Sequence, residues 1–189
     1  TPGSSLLDIG CGTGHFTRLF ARDTGAMAVG LDPNEAWLSY ARARAVGAEH
    51  YVVGLAESLP FPDCSFDLSV SVTALCFVRD PERALRELLR VTRRRFAVGV
   101  LNRHSWLYFQ KGVGGGSGGY EGAHWHTAGE LRALFATLPA RNLTLRTAVL
   151  LPQAGAWARA IESCWPRWIP AGGFLAVAGD PASVAAQRA

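Results

Sequence analysis

The stretch that decides the fold is LLDIGCGTGHF, residues 6–16. Its first four residues form a short apolar run, which predicts a buried strand ending at Gly10. Phe16, Leu19 and Phe20 follow at helical spacing and predict a helix. The glycines between the two elements permit a tight turn with positive φ and let backbone N–H groups approach a ligand closely. The start of the helix favours a negatively charged group at this turn.

A ligand with an adenosine part and a carboxylate would suit this turn. The glycines are spaced as GxGxG, whereas the dinucleotide fingerprint GxGxxG requires a glycine at His15. No phosphate-binding GxxxxGK[ST] motif lies nearby. Asp32 closes the predicted second strand, where its carboxylate can accept hydrogen bonds from both ribose hydroxyls. The alternative is that Asp32 only caps the next helix.

Strand and helix patterns alternate over roughly the first hundred residues, which indicates βαβ units and a parallel sheet. We therefore predict a single α/β domain over residues 1–189, a Rossmann-like three-layer sandwich with a mostly parallel seven-stranded sheet and an antiparallel edge strand. The further predicted strands are 26–31, 50–53, 66–72, 95–101, 143–151 and 174–178. The further predicted helices are 34–44, one opened by Asp80-Pro81, one opened by the capping box 127–130, and 156–165.

Composition narrows the class of protein. No apolar run is long enough to span a membrane and no signal-peptide pattern opens the chain, so a cytoplasmic protein is expected. The net charge is +4, and the densest basic run, Arg93-Arg94-Arg95, is expected in a solvated helix-to-strand turn, so nucleic-acid binding is not expected. The four cysteines match no zinc spacing and are interpreted as free thiols, with a thiol role of Cys11 as the alternative.

Four segments together resemble the class I S-adenosylmethionine-dependent methyltransferases, in particular the group similar to ubiquinone- and menaquinone-biosynthesis C-methyltransferases (methyltransferase domain 11). They are LLDIGCGTGHF at 6–16, VGLDPNEAWLSYAR at 29–42, GLAESLPFPDCSFDLSV at 54–70 and FVRDPERALRELLRV at 77–91. They cover about half of the chain. They are specific for fold and cofactor, S-adenosyl-L-methionine, but not for the methyl acceptor.

The resemblance implies which residues lie beside the methionine half of the cofactor. Asp8 would reach the amino group, directly or through water, and Val72 and Thr73 would flank the sulfonium. The loop beside this half of the cofactor would consist of Gly10, Cys11, Gly12 and Gly14.

The resemblance also implies an adenosine site. Asp32 would hold the ribose, and Pro33 and Trp37 would pack near the adenine, with ordinary helix-to-sheet packing as the alternative for Trp37. Ala56 would offer its backbone to the adenine ring, with Glu57 nearby.

The sequence departs from the family in three places. The family commonly has an acidic residue where this chain has Leu55, so Glu57 or a backbone carbonyl would have to contact the adenine amino group. The family's Lys-Pro-Gly-Gly turn before the fifth strand is replaced by residues 92–95. Family members usually carry helical segments before the first strand that help to cover the pocket, whereas this sequence starts only a few residues before that strand.

Candidate catalytic groups lie in the second half of the chain. Methyl transfer is an in-line displacement that needs a general base only if the acceptor is protonated and weakly acidic. The candidate residues are His104, Tyr120, His124 and His126. If residues 124–126 are extended, both histidines face one way and Trp125 the other. A metal pair is the alternative, but no third ligand is evident, so no metal is assigned.

Two features after the fifth strand bear on the acceptor. The glycine-rich stretch 112–119 is expected to be a mobile loop, either a surface linker or a lid. Trp106, Tyr108 and Phe109 are candidates to line an apolar acceptor pocket. The prediction is methyl transfer to a small-molecule acceptor. The alternatives are a noncatalytic adenosyl-binding module, an NAD-dependent oxidoreductase and an RNA methyltransferase. The oligomeric state is not predicted.

Overall fold

The computed structural model describes residues 3–47, 49–148 and 172–182. The strands are β1 (Ser5–Ile9), β2 (Met27–Asp32), β3 (Glu49–Val53), β4 (Phe66–Val72), β5 (Thr92–Leu101), β6 (Ala140–Ala148) and β7 (Phe174–Pro181). They form one seven-stranded sheet in the order β3-β2-β1-β4-β5-β7-β6. The first five strands in the chain are parallel to one another. The predicted parallel α/β sheet is therefore confirmed.

Five α-helices lie in the described residues. They are α1 (His15–Thr24), α2 (Glu35–Arg42), α3 (Pro81–Val91), α4 (Trp106–Lys111) and α5 (Ala128–Ala136). None of them is long and apolar enough to cross a membrane.

Neighbouring side chains of β1 show that the sheet is covered on both faces. Leu6 belongs to an apolar cluster that includes Phe20 of α1, whereas Leu7 belongs to the main core with Leu85 of α3 and Leu131 of α5. Successive side chains of a strand point to opposite faces, so the two clusters lie on opposite sides of the sheet. This is the predicted three-layer arrangement.

The capping residues predicted for α3 have the expected geometry. The Asp80 carboxylate accepts a hydrogen bond from the Arg83 backbone N–H (3.0 Å), and Pro81 occupies the first helical turn. Leu85 and Leu88 then lie on the buried face.

The antiparallel pairings lie at one edge of the sheet, as expected. β7 runs antiparallel to both β5 and β6 and lies between them, so that β6 is the outermost strand. β6 begins at Ala140 rather than at the predicted residue 143, and residues 149–151 of the predicted strand lie outside the described residues. The predicted helix 156–165 lies outside the described residues.

The prediction of a turn at Arg93-Arg94-Arg95 is wrong. α3 ends at Val91 and β5 begins at Thr92, so the three arginines belong to the strand. The Thr92 hydroxyl donates to the Leu88 carbonyl and accepts from the Ser69 hydroxyl, and the register between β4 and β5 shifts at this point. Residues 92–95 thus replace the turn of the family altogether.

The β1–β4 junction defines the site. β1 pairs with β2 on one side and with β4 on the other, so the strand order reverses here. In open α/β sheets, ligands bind outside the carboxyl ends of the strands at such a switch point. The glycine loop follows β1 at this position.

Candidate functional site

The glycine loop follows β1 as a series of left-handed residues. Gly10, Gly12 and Gly14 have φ values of 74°, 54° and 72°, which disfavour residues with a Cβ. The Gly10 N–H donates to the Leu31 carbonyl (2.7 Å) and ties the loop to β2. A Cβ on Gly10 would lie 2.0 Å from the Cβ of Ala74, so the loop also packs tightly against the turn after β4. The loop and the two strand ends therefore form one compact unit.

Asp32 connects this loop to α2. One carboxylate oxygen accepts the Gly12 N–H (2.8 Å) and the other accepts the Asn34 N–H (2.9 Å), while the residue is 4% exposed. The side chain that caps α2 is that of Asn34, which accepts the Trp37 N–H (3.2 Å). Asp32 is therefore not the side-chain cap of α2. Each carboxylate oxygen retains acceptor capacity for a ligand hydroxyl.

A second buried carboxylate lies beneath the loop. Asp8 is 1% exposed and accepts a hydrogen bond from the Thr17 hydroxyl (2.6 Å). Burial raises the pKa of Asp8 to about 6, the Thr17 hydrogen bond opposes this, and the Asp32 charge adds to it. The site therefore concentrates negative charge where a cation would be stabilising.

The surroundings of Cys11 do not favour a thiol nucleophile. Burial, followed by the charges of Asp8 and Asp32, raises the pKa of Cys11 to about 12. The reactive form of cysteine is the thiolate, and this thiol stays protonated near neutral pH. The structure thus supports the interpretation of Cys11 as a free, unreactive thiol.

Trp37 lies at the mouth of the loop. Its side chain is 51% exposed, and its Cε3 atom would lie 3.9 Å from a Cβ on Gly12, whereas the neighbouring Leu38 is buried. Packing of α2 on the sheet is thus carried by Leu38 rather than Trp37. Pro33 is also exposed. An exposed indole beside the loop suits an aromatic ligand ring.

The segment between β3 and β4 contains the predicted adenine contacts. Leu55 is exposed and forms an isolated bridge with Ser58, while Ala56 is half-buried against the core. Glu57 accepts a hydrogen bond from the Arg79 backbone N–H (3.1 Å), so its carboxylate is already engaged by the chain before α3.

Arg90 of α3 holds the same segment in place. Its guanidinium donates to the carbonyls of Leu59 (3.1 Å) and Phe61 (2.8 Å) and pairs with Glu87 and Asp63. These bonds connect the segment to the helix that covers the sheet.

Thr73 has an unusual backbone conformation at the end of β4. Its φ is +64°, which is rare for a β-branched residue. Its N–H donates to the Gly99 carbonyl (2.7 Å), and its hydroxyl donates to the Val72 carbonyl (2.6 Å). Such conformations cluster at functional sites. Thr73 and Val72 lie at the switch point, where the resemblance puts the reacting centre.

Residues 124–126 run beside the carboxyl end of β5. His126 forms a parallel bridge with Asn102, and the His124 N–H donates to the Cys76 carbonyl (2.7 Å) in the turn after β4. The segment therefore borders the same sheet edge as the glycine loop.

The side chains of this segment alternate as predicted. Trp125 is buried against Tyr108 and Tyr120, with ring centroids 5.3 and 5.7 Å away, whereas the rings of His124 and His126 contact each other at 4.4 Å. The two histidines are thus brought together, and Tyr120 packs on the opposite side of the segment. His104 is exposed in the turn after β5.

The structure places a third possible metal ligand beside the two histidines, which the sequence did not reveal. Glu130, in the first turn of α5, offers a ligand atom within 4.8 Å of those of His124 and His126. Its carboxylate also closes the capping box by accepting the Thr127 N–H (2.8 Å). The capping box was visible in the sequence, but its proximity to the histidines depends on how α5 packs.

His126 has a perturbed environment. It is 4% exposed, and among the described residues its Nε2 atom has no hydrogen-bond partner. Burial, then the neighbouring His124, lowers the pKa of His126 to about 4, and Glu130 opposes this. The ring is therefore neutral near pH 7.

Two of the predicted acceptor-pocket aromatics are on the surface of α4. Trp106 and Phe109 are exposed, Tyr108 is half-buried, and Leu107 points into the core. The glycine-rich stretch that follows forms turns, with a Ser117 N–H to Lys111 carbonyl bond of 3.0 Å.

Comparison with known proteins shows a likeness to methyltransferases. Residues 7–95 match a family described as a methyltransferase domain. A malonyl-[acyl-carrier protein] O-methyltransferase from Serratia marcescens is 42% identical over 92 residues, which are 49% of this chain and 35% of that protein. A ubiquinone/menaquinone biosynthesis C-methyltransferase from Vibrio parahaemolyticus is 40% identical over 97 residues, 48% of this chain and 38% of that protein. The chain thus spans little more than a third of the length of these relatives.

Solved structures extend the likeness to almost the whole chain. An S-adenosylmethionine-dependent methyltransferase from Thermotoga maritima, described as a possible histamine N-methyltransferase, has a TM-score of 0.71 and 27% identity, covering 96% of this chain and 84% of that one. A magnesium protoporphyrin IX methyltransferase from Synechocystis with bound S-adenosylhomocysteine has a TM-score of 0.68 at 17% identity, covering 96% and 75%, and shares the fold.

The chain is thus similar to S-adenosylmethionine-dependent methyltransferases and shares their Rossmann-like fold. The family match, to residues 7–95, covers just under half of the chain.

The site fits the cofactor of this class. S-Adenosylmethionine carries a sulfonium and an ammonium, and the buried carboxylates of Asp8 and Asp32 lie under the loop that would receive it. Apart from Trp37, no atom lies within 4 Å of a Cβ on Gly12 among the described residues, so a ligand can approach the backbone closely there.

Proposed function

We propose that this chain transfers a methyl group from S-adenosylmethionine to a small-molecule acceptor by in-line displacement. The observation that carries the proposal is the pair of buried carboxylates, Asp8 and Asp32, held under a glycine loop at the β1–β4 switch point. The relatives named as a malonyl-[acyl-carrier protein] O-methyltransferase and a ubiquinone/menaquinone biosynthesis C-methyltransferase support this class of reaction.

In this proposal the cofactor supplies an electrophilic methyl group on a sulfonium. The protein aligns the acceptor with that methyl group, and alignment alone contributes several kcal/mol to lowering the barrier. Asp32 binds the ribose hydroxyls with its remaining lone pairs, Asp8 attracts the methionine ammonium, and the loop fixes both carboxylates. The backbone of Val72 and Thr73 forms the wall beside the reacting centre.

The acceptor side is bordered by β5 and the elements that follow it. His124 is exposed at this edge, and α4 presents Trp106 and Phe109 to solvent. Exposed aromatic rings favour an acceptor with an aromatic or lipophilic part. In this proposal His124, while it binds no metal ion, is the first candidate to accept a proton from such an acceptor, with His126 beside it.

The alternatives find less support. A dinucleotide-binding loop requires a glycine at the position of His15, which instead begins α1. Nucleic-acid binding requires a free basic stripe, but Arg93 pairs with Asp67 (2.8 Å) and Arg95 lies 3.8 Å from Asp180.

Calorimetric titration tests the cofactor assignment. The purified chain is titrated with S-adenosylmethionine and S-adenosylhomocysteine, with NAD as the negative ligand. We expect micromolar binding of the two adenosyl ligands that is lost in Asp32→Ala. The matched control is Asp67→Ala, since Asp67 lies at the opposite end of the sheet, bound to Ser5.

Turnover is then measured with a panel of aromatic and lipophilic acceptors by release of S-adenosylhomocysteine. Equal binding by the chain and Asp32→Ala would refute the proposed site. Tight adenosyl binding with no turnover on any acceptor would instead favour a noncatalytic binding module, for which the exposed Leu55 in place of the family's acidic residue is the supporting feature.

A further inference from the structure

The cluster of His124, His126 and Glu130 contains three groups that ligate metals. The His124 Nε2 and Glu130 Oε2 atoms are 4.0 Å apart, and one ligand atom from each residue lies within 4.8 Å of the others. A tetrahedral ion with bonds of about 2.1 Å needs ligand atoms roughly 3.4 Å apart. Since His124 and Glu130 are both well exposed, small rotations of these two side chains suffice to close the cluster.

His126 provides an independent observation that points to a ligand. Its ring is buried, and its Nε2 atom has no hydrogen-bond partner in the described part of the chain. A buried polar atom without a hydrogen-bond partner is energetically unfavourable. The ring of His124 packs against the His126 ring, with centroids 4.4 Å apart, so an ion bound at this cluster through the His126 Nε2 atom would give that nitrogen a partner.

The backbone holds the three ligands in position before any ion arrives. The His126 N–H donates to the Leu101 carbonyl of β5 (2.9 Å), and the His124 N–H donates to the Cys76 carbonyl. The Glu130 carboxylate accepts the Thr127 N–H, which is the kind of outer-shell bond that orients metal-binding carboxylates. The folded chain therefore already orders much of the structure around the three ligands.

We propose that His124, His126 and Glu130 bind a zinc-class divalent ion with one coordination position open. Two imidazoles and one carboxylate match the ligand set of zinc sites in which three protein groups leave the fourth position to water or substrate. Mg²⁺ and Ca²⁺ prefer oxygen ligands, so a site with two imidazole nitrogens is expected to bind them weakly. The open position would take an oxygen, nitrogen or sulfur atom at the same sheet edge as the glycine loop.

Metal binding is measured on the purified chain after chelation and dialysis. Zn²⁺ is titrated by calorimetry and in competition with a chromophoric chelator, and bound metal is counted by mass spectrometry. We expect one Zn²⁺ per chain with micromolar or tighter affinity and no comparable binding of Mg²⁺. No adenosyl ligand is present, so the result is independent of the methyl-transfer proposal.

Two variants remove a ligand without disturbing the core. His124→Ala changes an exposed side chain, and Glu130→Gln retains the capping box because glutamine also serves at that position. Each is expected to weaken Zn²⁺ binding at least tenfold. The unliganded melting temperature of Glu130→Gln should match that of the parent chain. His50→Ala, which removes an exposed histidine on β3, is the matched control and should bind normally.

Zn²⁺ should also raise the melting temperature of the parent chain, because a ligand that binds only the folded state stabilises it. The proposal is overturned if His124→Ala and Glu130→Gln bind Zn²⁺ as tightly as the parent. It is equally overturned if His50→Ala loses as much affinity as they do, since binding would then be distributed over surface histidines.

Discussion

Replacing Asp8 by asparagine is expected to stabilise the free protein while weakening its binding of adenosyl ligands. Asp8 is buried beside Asp32, and the hydrogen bond that it accepts from Thr17 does not offset the loss of hydration. The folded chain therefore holds an unfavourable negative charge near neutral pH. In the proposed function this charge binds the cationic part of the ligand.

The size of the effect follows from the pKa of Asp8. The pKa rises from an ordinary 3.8 to about 6, which corresponds to a destabilisation of about 3 kcal/mol at high pH. Because the folded-state pKa is raised, the cost is absent below about pH 4 and develops as the pH rises through 6. The amide side chain of the variant removes this cost at every pH. We therefore expect Asp8→Asn to stabilise the chain by about 2 kcal/mol at pH 5 and about 3 kcal/mol at pH 8.

Urea denaturation of the parent and variant, measured from pH 5 to pH 8, gives this difference directly. Comparing the two proteins cancels the titration of all groups that they share. Asp67→Asn is the control of opposite sign, because hydrogen bonds from Ser5, and less so the Arg93 charge, hold the pKa of Asp67 below its usual value. Removing the Asp67 charge should therefore destabilise the chain near neutral pH.

The same samples are titrated with S-adenosylhomocysteine. We expect Asp8→Asn to lose at least tenfold in affinity, since the amide cannot attract the ligand ammonium. The reasoning is refuted if the variant is no more stable than the parent at pH 8, or if the difference in stability does not grow between pH 5 and pH 8.

Three further changes test the packing around the site. Gly10→Ala should lower the free energy of unfolding by about 2–4 kcal/mol, because the new Cβ would overlap Ala74 and the φ of this residue is positive. Gly99→Ala is the control and should be close to neutral, because a Cβ there meets no atom within 4 Å. Chemical denaturation compares the two variants. Gly129→Ala in α5 should stabilise the chain by about 0.5–1 kcal/mol in the same assay, and a loss of stability would contradict the helical geometry. Arg90→Leu should release the segment before β4, seen as faster amide exchange at residues 55–61 with slower exchange retained in β1; unchanged exchange would refute the clamp.

Local patterns in the sequence predicted the first half of the chain well. The strand before Gly10, the acidic residue at the end of β2 and the cap of α3 all depend on residues close together in sequence. Capping, apolar periodicity and glycine turns are short-range effects, so one sequence contains the information needed to read them. The glycine spacing and Asp32 together also indicated the correct class of ligand.

The same local reasoning was wrong where contacts between distant segments decide the bounds of a strand. The arginines 93–95 resemble a solvated turn in sequence, but pairing of β5 with β4 and the bond from Arg93 to Asp67 draw them into a strand. β6 begins earlier than predicted, because Ala140 and the residues after it pair with β7. Pairing energy between distant segments outweighs local propensity in such cases.

The sequence by itself therefore determined the parallel α/β framework, the glycine loop and the carboxylate at the end of β2, because each is indicated by a short local pattern of residues. Three further features were decided only by the tertiary structure. The charge of Asp32 acts on the buried Asp8, β7 lies between β5 and β6, and Glu130 lies beside the two histidines. Each of these features depends on segments that are distant in the chain and pack together in the fold. Burial and electrostatic coupling arise only when such segments pack together.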